Sequence, residues 1–373
     1  MASKESVARV AAVEAPDAGR VIESSAVRRA EALGQPLPEA WRISESEFPS
    51  SGSVEERLRY LIGYAVLAPS SRNAQPWRFR VDGDRIRLFA DRTRGMPVAD
   101  PDGRQLVIGC GAALHHLRLA LRRFRFADRV TVFPDPAEPD LLAEVRAQDG
   151  GVPTEEERAL FEMIRRRRTV YGPFDRKPVG DGTIDALRGA AAREGAWFLP
   201  IKSRAVRVAV ASIVAAGHRA QFADEHLRHE LAAWLRPNRG DAVDGIPGYA
   251  LGLGDLASRV APTLIRNMNL GRFRVDRQRE LARGAPLLAV LGTAGDAPPD
   301  WLAAGQALSR VLLTACKDGL NAGYLNQALE IPGLRRRLRE VLGVAGYPQL
   351  LLRFGHAPPP PPTPRRPVAD VLA

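Results

Sequence analysis

Three short segments carry the residues best able to do chemistry. Pro69-Ser70-Ser71-Arg72-Asn73-Ala74-Gln75-Pro76-Trp77 packs small hydroxyls, a carboxamide and exposed backbone into one tight turn. Its two prolines fix φ and stiffen the turn. Such a loop presents N–H groups and Asn donors to a polar, planar ligand. Read alone, it is equally a capping turn beside a core tryptophan. Arg165-Arg166-Arg167-Arg168-Thr169 closes a helix before Gly172-Pro173. Guanidinium groups bind phosphate bidentately, so the run has the composition of a phosphate cradle. The other reading is a solvated helix end whose cations suit the C-terminal dipole. Thr363-Pro364-Arg365-Arg366-Pro367 is a basic clip after a polyproline spacer, and alone it reads as a disordered tail.

Other candidates are weaker. His226 and His229 stand three apart on a charged helix, and zinc would need a third ligand and a sheltered face. His115 and His116 are adjacent and point to different helix faces, which argues against a shared metal. No GxGxxG after a strand, no Walker A loop and no HExxH is present. Two cysteines, Cys110 and Cys316, exclude a disulfide framework and the multi-cysteine metal patterns.

The elements that must position these segments follow from periodicity. Residues 1–52 are polar and weakly periodic, with one helix expected near 24–33. Ser53 is the expected N-cap of a helix over 54–67. Residues 77–81 and 85–90 alternate like a hairpin over Asp82-Gly83-Asp84. A helix over 102–124 and a strand over 130–133 follow. The acidic, proline-containing stretch 134–157 reads as a connector, after which the order of elements restarts. Helices are expected over 155–168, 184–194 and 206–235, with a strand at 196–201. The stretch 237–283 reads as irregular and too long for a mere connector. Then come a strand at 286–291, a helix at 301–319, a strand at 322–325, a helix at 332–342 and a strand at 348–354. Gly111-Ala-Ala-Leu114 and Gly305-Gln-Ala-Leu308 share spacing on two of these helices, a faint internal repeat.

Composition bounds the partners. The 373 residues are 45 % hydrophobic and 26 % charged, ordinary for a soluble enzyme. The net charge of +11 invites a nucleic-acid reading. However, only Lys4, Lys177, Lys202 and Lys317 are lysines, and the arginines spread over the whole chain rather than clustering in an arm. That skew fits a high-GC genome better than a nucleic-acid partner. No apolar run approaches the ~20 residues of a membrane span. No secretory signal is visible. A cytoplasmic protein acting on a small molecule, with no membrane and no metal, is the expectation.

Taken together, PSSRNAQPW after a helix, the Arg-rich helix end with its Thr, and the C-terminal PRRP clip resemble the FMN-dependent nitroreductase superfamily. The arrangement is most similar to its Acg-type members, in which one chain carries two fused halves that imitate the usual homodimer. The resemblance runs over residues 54–372 and includes Asp100-Pro-Asp-Gly-Arg104, Asp244-Gly-Ile-Pro247 and Leu325-Asn-Gln-Ala-Leu-Glu330. It implies an α+β fold, an α/β sandwich of two tandem nitroreductase-like halves. Residues 1–52 would be an extension that is partly flexible. Residues 53–150 would be the half carrying the loop, and residues 151–373 the half carrying phosphate helix, lid (237–283) and clip.

The resemblance also implies a site. Arg167, Thr169 and Arg365 would hold the FMN phosphate, with Arg168 and Arg366 close by. Pro69, Ser70, Ser71 and Asn73 would border the isoalloxazine ring. Leu329-Glu330-Ile331 would set a backbone N–H against flavin N5. One complete FMN site per chain follows, because the second half has lost the loop sequence, and a monomer suffices for it. The cofactor would carry hydride from NAD(P)H or a substrate to an electron-poor acceptor or oxygen, with no residue needed as nucleophile. The alternative is a protein that sequesters FMN without turnover. Three positions depart from the pattern. Tyr171 stands where an Arg is usual, making it a candidate modulator of flavin reduction. Ala328 replaces a Pro, and Ile331 replaces a Gly. Arg72, at a variable loop position, is expected to face solvent.

Overall fold

The computed structural model describes residues 38–269 and 271–373. The helix expected near 24–33 lies outside the described residues. Ser53 and Glu56 form a reciprocal capping box that starts α1 (Val54–Ala65). The hairpin follows as β1 (Trp77–Asp82) and β2 (Arg85–Ala90), then α2 (Arg104–Arg123) and β3 (Phe126–Val132). The stretch 134–157 is not a connector. It contains β4 (Leu141–Asp149), whose Leu141, Ala143, Val145 and Ala147 are buried at alternate positions. These strands make an antiparallel sheet in the order β1-β2-β4-β3.

The second half repeats that order. After α3 (Glu155–Ile164) and α4 (Asp181–Ala192) come β5 (Trp197–Pro200), β8 (Leu287–Thr293), β9 (Asn321–Tyr324) and β10 (Tyr347–Gly355). They pair as β5-β8-β10-β9, all antiparallel. Helix α9 (Pro298–Lys317) lies between β8 and β9 in sequence, as α2 lies between β2 and β3. The halves differ in one connection. A turn at Gly83 joins β1 to β2, whereas residues 201–286 join β5 to β8. That insertion holds α5 (Arg204–Ala223), α6 (Glu225–Ala233), the short parallel pair β6 (Leu235–Arg236) and β7 (Ile246–Pro247), α7 (Asp255–Asn267) and α8 (Gly271–Gly284). The expected irregular lid is therefore largely helical. Its Gly, Pro and Arg content hid the apolar positions by which α8 packs on α5, among them Ala282 and Leu281.

The faint repeat is the centre of the molecule. Helices α2 and α9 cross at Gly111 and Gly305. A Cβ on Gly111 would stand 2.2 Å from the Leu302 carbonyl oxygen, and one on Gly305 would stand 2.1 Å from that of Ile108. Only hydrogen fits at either position. Along the same pair His115 Nδ1 meets Ser309 Oγ at 2.8 Å, two residues 194 apart like the two glycines. The helices thus carry a pseudo-twofold relation inside one chain.

Burial follows the layers. The first sheet is covered on one face by α1, α2 and α3, which contribute Leu61, Leu114 and Leu160 to a single core with Phe79 and Val145. α3 packs in this core although it follows residue 150 in the sequence. The second sheet is covered on both faces. Leu287, Ala289 and Leu291 face α4 and α9, while Leu288 and Val290 face α5 and α10 (Pro332–Leu342). That double cover explains why β8 is buried at every residue instead of alternating. From β10 the tail crosses back to the first half. It ends in α11 (Val368–Val371), with Leu372 bridged to Phe79. Among the described residues no helix is long and apolar enough to cross a membrane.

Candidate active site

The loop after α1 is strained and clamped. Arg72, Asn73 and Gln75 have φ of 49°, 58° and 53°, a left-handed conformation that ordinary side chains resist. Hydrogen bonds from three directions hold them there. The Gln75 N–H donates to Ser70 Oγ at 2.8 Å, and Ser71 Oγ donates to Gln105 Oε1 at 3.0 Å. Asn73 Nδ2 donates to the carbonyls of Gly245 in the insertion and Pro364 in the tail, both at 3.0 Å. Gln75 Nε2 donates to the Val243 carbonyl at 2.9 Å, while its Oε1 accepts the Arg366 N–H at 2.8 Å. The Asn73 amide is thus committed to holding loop, insertion and tail together.

The arginine run lies across the cavity from this loop. α3 ends at Ile164, and Arg167 follows in a turn closed on the Met163 carbonyl. Thr169 then bridges to Ala322 of β9, and the Val170 N–H donates to the Ala322 carbonyl at 2.8 Å. Arg353 of β10 fixes the same segment from below, donating to the carbonyls of Val170 (2.6 Å) and Gly172 (2.7 Å). The clip completes the wall. Arg365 donates to Asn73 Oδ1 at 2.8 Å and Thr363 Oγ1 at 2.6 Å.

These pieces enclose about 290 Å³. Pro69, Ser70, Ser71, Asn73, Arg167, Arg168, Thr169, Tyr171, Glu330 and Arg365 all border it. Three expected residues do not. The Leu329 side chain is packed in the core beneath α5, and its N–H already donates to the Asn326 carbonyl at 2.7 Å. Ile331 caps α10. Arg366 turns away, donating to the carbonyls of Gln75 and Trp77 and lying 3.7 Å from Asp91. It fastens the tail to β1 and the loop.

Arg72 does not face solvent. It is buried on the cavity wall, 3.0 Å from Glu230 of α6 and 3.5 Å from Glu330. Glu230 also accepts the N–H groups of Val98 and Ala99. Burial pushes the Glu330 carboxyl up, and Arg72 opposes that rise. Gln221 of α5 donates to the same carboxyl.

The sequence also hid several wall residues. Trp41 comes from the segment expected to be part of a loose extension, yet it is 2 % exposed. Its ring lies 4.3 Å from the Arg168 guanidinium and 5.2 Å from that of Arg365. Gln105, Gln221 and Tyr324 also border the cavity. A lone Trp between Pro38 and Pro49 was a signal for the first; nothing in the sequence marked the others. The insertion adds an apolar stretch of wall, Phe222, Leu231, Leu235, Ile246 and Ile265, beside the polar His218, Gln221 and Gln278.

The cations dominate the electrostatics. Arg167 is buried, and its guanidinium contacts Thr169 Oγ1 at 3.4 Å. Burial, together with Arg167 and Arg168, holds the Arg365 guanidinium down at about 9. Among the described residues, neither Arg167 nor Arg365 has a carboxylate within ion-pair distance, and the Nε of each and the Tyr324 hydroxyl have no hydrogen-bond partner. Buried like charges without a counter-ion are costly, so the wall is poised to take an anion. Burial also pushes the phenols of Tyr171 and Tyr324 up to about 12, keeping both neutral donors.

The corresponding place in the second half is filled. Only residues 193–196 link α4 to β5, where the first half has the long loop before β1. Glu194 there lies 2.7 Å from Arg310 and 3.2 Å from Arg118. Among the described residues no group of three or more His, Cys, Asp or Glu side chains is placed to hold a metal.

Rv3131 of Mycobacterium tuberculosis, named as an NAD(P)H nitroreductase, is 36 % identical over 322 residues, covering 85 % of this chain and 91 % of its own. The chain belongs to the NAD(P)H nitroreductase family. Acg of the same organism, another nitroreductase by name, is 29 % identical over 328 residues, 87 % of this chain and 97 % of its own. No family model matches. Among solved structures, the FMN- and NADPH-dependent nitroreductase NfnB from Sphigopyxis sp. strain HMH is 21 % identical with a TM-score of 0.37; it covers 59 % of this chain and 98 % of its own. NfnB from Mycobacterium smegmatis, in complex with NADPH, is 17 % identical with a TM-score of 0.35, covering 54 % and 88 %. In this family member the loop of one half and the basic clip of the other meet at one cavity within a single chain.

Proposed function

We propose that this nitroreductase is an FMN-dependent oxidoreductase with one FMN site per chain, using NAD(P)H as a reductant and reducing a small acceptor. The observation that carries the reading is the buried guanidinium wall of Arg167 and Arg365. Its orphaned Nε atoms and neutral Tyr324 hydroxyl offer donors without a protein acceptor, which fits a phosphate dianion. FMN, when bound, supplies two-electron transfer between the nicotinamide and the acceptor. The protein supplies the rest. Arg167, Arg168, Thr169 and Arg365 hold the phosphate. Pro69, Ser70 and Ser71, on a loop that Asn73 clamps, set one edge of the ring. The backbone at Glu330, which borders the cavity, supplies the N–H that Leu329 has spent. Phe222, Leu235 and Ile265 exclude water from the ring's open side. The packing of α2 on α9 supplies the dimer-like interface internally, so a monomer is sufficient. The acceptor class is a small molecule in the cytoplasm.

The test is stoichiometry joined to turnover. Flavin released by denaturation should reach, and not exceed, one equivalent per chain. Glu194 with its two arginines stands where the second half would have its loop, so a value near two would overturn the single-site assignment. Anaerobic NAD(P)H should bleach the bound flavin; persistent yellow colour would favour sequestration instead.

Tyr171 gives a second expected result. Its exposed third faces the cavity. A cation there would lie near the anionic reduced flavin. At an effective dielectric near 20, a unit charge about 4 Å away is worth roughly 4 kcal/mol before desolvation. A quarter of that moves a two-electron midpoint by roughly 20 mV. Tyr171→Arg should therefore raise the flavin midpoint, as read by redox titration. A midpoint that stays or falls with FMN still bound would mean that Tyr171 only packs.

A further inference from the structure

Residues 38–48 are outside every site residue that the sequence suggested; Ile43, Ser44 and Phe48 pack on α1, and Trp41 reaches the guanidinium wall. Trp41 is their anchor. It sits in a short turn, Glu39–Arg42, and is the only buried residue of that turn. Its indole borders the cavity. The guanidinium of Arg168 lies 4.3 Å from the ring and that of Arg365 lies 5.2 Å away, both within cation–π range. Its Nε1–H donates to the Thr363 carbonyl at 2.8 Å, two residues before Arg365. One side chain thus touches the helix-end arginine, the clip arginine and the clip backbone. A π face steadies a guanidinium without neutralising it, as the neutral acceptors Asn73 Oδ1 and Thr363 Oγ1 do for Arg365. A carboxylate in its place would compete with an incoming anion.

We infer that Trp41 is a positioning residue for the phosphate of the ligand: it holds Arg168 and Arg365 in a cationic, anion-ready geometry and ties its own turn to the clip backbone. The inference rests on the FMN reading above, and the experiment separates the two. FMN and riboflavin share the ring system and differ in the phosphate. Wild-type apoprotein should bind FMN far more tightly than riboflavin, by titration of flavin fluorescence. If it binds both equally, the phosphate cradle itself is wrong. Given that discrimination, Trp41→Leu removes the π face and the donor. It should weaken FMN by ten- to thirtyfold while leaving the riboflavin dissociation constant within a factor of about two. Trp41→Phe keeps the π face and should recover most of the FMN affinity. Equal losses for both flavins, or no loss for FMN, would reduce Trp41 to a packing residue. A readout on the unaltered protein guards against a variant that does not fold. FMN should slow amide exchange in residues 38–48 and riboflavin should not. Exchange there that ignores FMN would overturn the inference.

Discussion

Arg365→Ala is expected to lower FMN affinity by ten- to a hundredfold while costing the flavin-free protein little stability. A sheltered charge-assisted hydrogen bond to phosphate is worth roughly 1.5–3 kcal/mol, which converts to that range of dissociation constants. Without ligand the same guanidinium is a liability, since burial and its cationic neighbours hold it at about 9. Alanine relieves that repulsion and partly offsets the lost contacts to Asn73 and Thr363. Arg72→Ala should show the opposite pattern. It takes the cation from the largely buried carboxylates of Glu230 and Glu330, which keep neutral donors, and removing one partner of a buried pair costs about 3–5 kcal/mol. Flavin titration and urea unfolding of both apoproteins decide the matter. Equal affinities in the two variants would show that the clip is not part of the site.

Gly305→Ala is expected to destabilise the whole chain, although alanine is the better helix former by about 1 kcal/mol. The new Cβ would fall 2.1 Å from the Ile108 carbonyl oxygen and 2.8 Å from Gly111 Cα. Both are backbone atoms, so no rotamer change can yield. Helices α2 and α9 would have to separate along the contact that joins the halves. Overpacking of a tight core costs about 1–3 kcal/mol, and a backbone contact belongs at the upper end. The site should suffer as well, because α2 contributes Gln105, Ile108 and Gly109 to the cavity wall. A lower urea midpoint together with weaker FMN binding is the expected pair of results. Gly305→Ala with an unchanged midpoint would show that the crossing can relax and that the glycines are incidental.

Where sequence reasoning held, the signal was local. The N-cap at Ser53 and the hairpin at Gly83 were each legible because neighbouring residues settle them. The repeated GxAL was legible too, but that its two copies touch was not. Strand β4 was missed because its acidic, proline-bearing flanks looked like a connector, although Leu141, Ala143, Val145 and Ala147 alternate correctly. The insertion was misread for a related reason: α8 is polar almost throughout, and only its packing on α5 stabilises it as a helix.

The sequence alone determined which chemistry was available: guanidiniums and a hydroxyl for an anion, and a rigid turn for a planar ring. It also determined, through the order of the loop, the helix end and the clip, that these parts lie far apart along the chain. The tertiary structure decided which of them face the cavity. Arg365 and Arg366 are adjacent residues, yet their side chains go to different places, one to the cavity and one to β1. Arg72 became a buried ion-pair partner because α6, more than 150 residues away, brings Glu230 to it. Trp41 joined the wall because the tail folds back across the first half. Such choices depend on contacts between distant segments, and those contacts exist only once both halves have closed on the α2–α9 pair.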